Sequence, residues 1–175
     1  MEMVIRRSAA GLIALLLTGI CLTAGCLTAS NNEGFAIYLT VGDVPPSKMP
    51  ALSHIEIAEA PVISTDDIIS YNSKTYEIEL TEKAFKRVYQ LEVPIQGRSF
   101  VVCVNRKPIY WGAFWTPISS IYFEGVTMYK PLVDEEPHVV TLELGYPSLA
   151  FYEGEDPRNN PEILKSLEQA GKLIN

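Results

Sequence analysis

The chain has 175 residues, 47% hydrophobic and 20% charged, enough apolar material for one domain with a real core. Its net charge is −7 with a pI of about 4.9, and its basic residues are scattered, as in Lys83, Lys86 and Arg87 or Arg106 and Lys107. That argues against a nucleic-acid partner, which needs a concentrated basic patch. It also means that holding the chain on an anionic membrane requires a covalent or inserted anchor.

Arg6 and Arg7 precede a stretch from Ala9 to Gly25 that carries no charge. A short positive segment, an apolar run and a small-residue exit read as a secretory signal peptide over 1–25. The competing reading is an uncleaved transmembrane helix, for which about 17 apolar residues is the lower limit. Gly11, Gly19 and the threonines make this run less lipophilic than a typical span. Residues 22–26, Leu-Thr-Ala-Gly-Cys, resemble the bacterial lipobox, with Ala24 and Gly25 small enough for the peptidase. That family usually has Leu three places before the cysteine, where this chain has Thr23. The resemblance implies a diacylglycerol on the Cys26 thiol, cleavage before it, and acylation of the new amine. Two or three acyl chains anchor stably where one does not.

Of the three cysteines, Cys21 lies in the apolar run and Cys26 at its exit, so Cys103, between Val102 and Val104, reads as a small buried hydrophobe. A Cys26–Cys103 disulfide is the alternative in an oxidising compartment. Loss of 1–25 removes Arg6, Arg7 and Glu2 from the 14 basic and 21 acidic residues, leaving 12 and 20, a net −8. The tether, 26–34, spans about 16 Å as a flexible coil. The domain over 35–175 is thus expected on the extracytoplasmic side of the cell membrane.

Residues 35–41 (FAIYLTV) are β-branched and aromatic and predict a first strand. Pro45, Pro46 and Pro50 then impose a fixed loop. Residues 54–63 alternate, with Ile55 and Ile57 opposite Glu56 and Ala58, and read as a strand. Ser64 or Thr65 caps a helical turn with Asp66 and Asp67 at its positive end. Residues 75–80 alternate Tyr76, Ile78 and Leu80 against Glu77 and Glu79. Thr81 caps a helix whose apolar side is Ala84, Phe85, Val88 and Leu91. Residues 99–104 (SFVVCV) suit the centre of a sheet. An Asn105–Lys107 turn leads into PIYWGAFW, and further strands follow at 120–129 and 138–146. Asn160 caps and Pro161 opens a last helix running to about Leu173, with Ile163, Leu164, Leu167, Ala170 and Ile174 in a stripe. This order predicts an α+β domain, helices on one face of a mainly antiparallel sheet.

The run from IELTEKAFKRVYQL to YFEGV resembles the head of the first periplasmic domain of the SecD export subunit, over about 50 residues. Thr81, Phe85, Gly97, Arg98, Asn105, Pro117, Ile118 and Gly125 occupy that family's places. The resemblance implies a ferredoxin-like βαββ core and a module that contacts protein. Where the family carries a Gly after Asn105 this chain has Arg106, and SecD's membrane helices have no counterpart, so proton-driven export is not carried over.

Six aromatics, Tyr110, Trp111, Phe114, Trp115, Tyr122 and Phe123, crowd what reads as one hairpin. On a strand Ile109, Trp111, Ala113 and Trp115 share one face and Tyr110, Gly112 and Phe114 the other, so one face is core. One reading packs all these aromatics under the helices; the other puts one face on the surface as a docking patch for a protein or peptide, which makes Tyr110, Trp111, Phe114 and Trp115 the candidate binding residues. No cofactor or metal is expected. His54 and Glu56 form an isolated pair, His138 stands apart, and Asp134, Glu135 and Glu136 read as a charged turn without calcium-loop spacing. Ser148 has no nucleophile elbow around it. Asp156 and Arg158 are placed to pair at the mouth of the last helix. The expected function is a lipid-anchored, non-enzymatic binding module, an accessory of export on the SecD likeness. The alternative is an extracytoplasmic enzyme with a dispersed site.

Overall fold

A computed structural model of the chain describes residues 33–174. The signal segment, Cys21 and Cys26 lie outside these residues. The described part is an α+β domain: one mostly antiparallel sheet of nine strands and two helices.

The strands are β1 (Phe35–Leu39), β2 (Ile63–Ser64), β3 (Ile68–Asn72), β4 (Glu77–Leu80), β5 (Arg98–Val104), β6 (Lys107–Trp115), β7 (Phe123–Tyr129), β8 (Val139–Tyr146) and β9 (Leu173–Ile174). Their spatial order is β2-β1-β5-β6-β7-β8-β4-β3-β9. β2, at one end of that order, and β3, which only β9 separates from the other end, are made by one stretch of chain. β2 pairs with β1, and after the turn Thr65–Asp67 the same segment pairs as β3 with β4. The sheet therefore rolls on itself, bringing the Phe35 and Tyr71 rings to 6.2 Å. At the corner, Ser64 donates from its amide and its hydroxyl to Asp67 Oδ2, both at 2.8 Å. Arg87 ties the corner to the first helix through Asp67 at 2.6 Å and the Val62 carbonyl at 2.8 Å.

Helix α1 (Glu82–Tyr89) starts where Thr81 Oγ1 accepts the Ala84 amide, and α2 (Pro161–Gln169) where Asn160 Oδ1 accepts the Glu162 amide. Ala84, Phe85 and Val88 of α1 and Ile163 and Leu167 of α2 join one inner core with Ile37, Phe100, Phe114, Met128 and Leu142. The outer face of the sheet carries two smaller clusters, Ala36, Tyr38, Val101 and Cys103, then Ala113, Trp115 and Tyr146. Cys103 is wholly buried, and burial pushes its thiol up to about 12.

Four expectations change. The alternating run at 54–63 is not a strand. It follows β1 irregularly, with Leu52–His54 a 3₁₀ turn and Ile57 a single bridge to Thr40, because Pro61 and the short turns interrupt the ladder. Ile55 and Ile57 still pack on the outer cluster, which is the burial that the alternation encodes, while Ile63 begins β2 and joins the inner core. Gly171, at φ +67, stops α2 short of Leu173 and sends the chain into β9, parallel to β3. A ferredoxin-like unit would place β4 beside β6, but β7 and β8 lie between them, and the pairings set β4 antiparallel to β5. Finally β6 and β7 are parallel, so their connection is a crossover and not a hairpin.

Candidate binding groove

Alternation along β6 sends Tyr110 and Phe114 inward and Trp111, Ala113 and Trp115 outward. A bulge opposite Val102–Cys103 breaks the alternation, so Ile109 packs on the inner core instead of sharing Trp111's face. Tyr110 and Phe114 thus leave the set of binding residues. Phe114 sits edge-on to Phe100 with centroids 5.1 Å apart, and burial holds the Tyr110 hydroxyl well above its ordinary value. Among the described residues Tyr110 Oη, Ser99 Oγ and Trp115 Nε1 are buried polar atoms without a hydrogen-bond partner.

The outward pair is arranged by the crossover. Parallel neighbours usually need a connection of a dozen or more residues. Here 116–122 suffices, running over the outer face of the sheet, where it is stitched down. Tyr146 Oη donates to the carbonyls of Pro117 and Ser119 at 3.2 and 2.7 Å, and Ser119 Oγ donates to the Ile95 carbonyl at 2.6 Å. Phe123, at the start of β7, then stacks on Trp115 at 5.1 Å and 11° and stands 5.7 Å from Trp111. Trp115 is only 1% exposed, whereas Trp111 is half-buried.

Between these rings and the loop after β8 lies a groove of about 680 Å³, within the range that takes a small ligand or a few side chains. Its aromatic wall is Trp111, Trp115, Tyr122, Phe123 and Tyr152. Tyr122 is 59% exposed and lies 5.9 Å from Phe151, itself exposed, so the apolar surface continues past the rim. Glu124 and Glu153 line the same groove, joined by a 3.2 Å bond from the Glu153 amide to the Glu124 carbonyl, and no Lys or Arg lines it. Burial raises the Tyr152 hydroxyl, which donates to the Glu155 carbonyl at 2.5 Å. Tyr152, Glu124 and Glu153 were not legible as site residues: no periodic pattern joins the loop at 147–160 to β6.

The remaining candidates are structural or solvated. His54 and Glu56 are exposed and not on a strand. His138 stacks on Phe85 at 4.8 Å with Nε2 3.8 Å from Asp134. Glu135 and Glu136 are exposed, and Ser148 precedes the 3₁₀ turn Leu149–Phe151. Arg158 pairs with Asp156 as expected, at 2.8 and 2.9 Å. No His, Cys, Asp and Glu group among the described residues is arranged to hold a metal, and no helix among them is long and apolar enough to cross a membrane. No protein-family model, no curated protein and no solved structure matches the chain.

Proposed function

We propose that this protein is a lipoprotein anchored through Cys26 on the extracytoplasmic side of the membrane, where it binds a segment of protein or peptide without catalysing a reaction. The observation that carries the reading is the aromatic groove beside Trp111. It leaves the Tyr122 ring exposed and the Trp111 and Phe123 rings half-buried at a solvent-facing opening, over a buried Trp115. The anchor is supported by the uncharged run ending in Leu-Thr-Ala-Gly-Cys and by β1 starting at Phe35, directly after the expected tether. A role beside the export machinery rests on the SecD resemblance alone.

The anchor is tested by the mass and partitioning of the protein in membrane fractions. Cys26→Ser is expected to lose the diacylglyceryl mass and to retain residues 1–25; a variant that weighs and partitions like its parent overturns the anchor. The groove is tested with a photo-crosslinking benzoylphenylalanine in place of Tyr122. A discrete adduct that disappears with Trp111→Ala is the expected result, and its absence in intact membranes overturns the groove.

A further inference from the structure

We infer that the groove selects segments in which a Lys or Arg lies beside an apolar or aromatic side chain. This rests on the binding reading above and narrows it to one chemistry. Glu33, Asp43, Asp67, Glu82, Asp156 and Glu162 each stand within 4 Å of a basic side chain. Glu124 and Glu153 are exposed and, like other acids among the described residues, have no ion-pair partner; what sets them apart is that they line the aromatic groove. The backbone bond between them sets these two acidic residues side by side on the groove wall.

An apolar side chain entering the groove gains burial against Trp111 and Phe123. A cation following it meets two unpaired carboxylates and the faces of Tyr122 and Tyr152, so Coulomb attraction and the ring quadrupoles act in the same direction. An acidic segment of the same shape meets repulsion from Glu124 and Glu153 and from a processed chain of net charge −8, 12 basic against 20 acidic residues. The groove thus discriminates by sign of charge and not by apolar content alone.

The test uses the full lipidated protein in nanodiscs of zwitterionic lipid, titrated with fluorescent pentapeptides by anisotropy. A central Phe is flanked by Lys, by Gln or by Glu. The Lys peptide is expected to bind about tenfold more tightly than the Gln peptide, with the Glu peptide weakest. The preference is expected to fall to about twofold or less in Glu124→Gln/Glu153→Gln, and to reverse towards the Glu peptide in Glu124→Lys/Glu153→Lys. Lys and Gln peptides of equal affinity would overturn the charge selection while leaving the groove reading intact, provided that Trp111→Ala weakens both. A Lys preference that survives in the Gln double variant overturns it too. If no peptide binds, or if Trp111→Ala changes nothing, the binding reading itself falls.

Discussion

Gly97 has φ +79 and lies directly against Trp115: a methyl group placed there would meet Cζ3 of the indole at 2.3 Å. The indole cannot retreat, because Phe123 stacks on one side of it and Tyr146 stands 5.5 Å away. Gly97→Ala therefore combines a left-handed backbone with overpacking, and is expected to cost about 2–4 kcal/mol in urea unfolding. A loss below about 0.5 kcal/mol would show that Trp115 is not locked. Arg106 solves the opposite problem. Asn105 and Arg106 have φ of +51 and +63, as a two-residue hairpin turn demands, and a glycine would take the second place without strain. The arginine is retained there by contacts that a glycine lacks: its guanidinium donates to the Glu59 carbonyl at 2.9 Å and lies 5.1 Å from the centre of the Tyr38 ring. The turn was legible from Asn105 and its flanking strands. Those contacts were not, because they join residues far apart in sequence.

At the scale of elements, local chemistry was readable and pairing was not. Thr81 and Asn160 cap the two helices as their residue types predict, since a cap depends on the next three residues only. Alternation separated the two faces of β6 without saying which of them is core, and the bulge that turns Ile109 inward was invisible in it. The four residues proposed for binding divide two and two for the same reason, because even and odd positions on one strand cannot share a face. The loop after β8 is tied to the sheet by several bonds, of which Arg158 makes the most. Arg158 forks onto Asp156, donates to the Leu142 carbonyl at 2.6 Å and lies 3.5 Å from the centre of the Tyr76 ring. A lysine cannot reproduce that fork. Arg158→Lys is expected to lose about 1–3 kcal/mol in thermal or denaturant unfolding, and a change within about 0.5 kcal/mol would contradict this role. Hydrogen bonding from Arg158 holds the Asp156 carboxyl below its ordinary value. Its contribution is therefore present above about pH 4 and lost as pH falls through the lowered value, so the wild type and Asp156→Asn are expected to converge in acid.

For the described domain as a unit, the deciding event is the double service of 63–72, which pairs with β1 before the corner and with β4 after it. Nothing in the composition of Ile-Ser-Thr-Asp-Asp-Ile-Ile announces that one segment serves both sides of the sheet, although the capping turn itself was legible. The fold buries several groups that ionise in alkali, Tyr71 and Tyr110 inside the rolled sheet and Tyr38 and Cys103 on its outer face beneath Leu52, Ile55 and Ile57. Burial raises Tyr38 and Cys103 to about 12, and raises Tyr71 and Tyr110 as well. A folded-state value above the unfolded one gives stability that is complete below the unfolded value and is lost as pH rises through the folded one. With unfolded values of about 8.5 for Cys and about 10 for Tyr, the loss sets in above about pH 8.5. The urea midpoint is expected to hold from about pH 7 to 8.5 and to fall steadily towards pH 12. Cys103→Ala is expected to flatten the first part of that fall. A midpoint flat to about pH 11 would mean that these groups are not buried as described.

The first described residues have a mechanical meaning. Gly34 donates its amide to Asn105 Oδ1 at 2.9 Å and accepts from the Asn105 amide at 2.8 Å, and five aligned pairs then join β1 to β5. Tension reaching Glu33 along the β1 axis meets hydrogen bonds set across the pull. They share the load in shear and are not unzipped one at a time, so the domain grips its own leading end like a clasp.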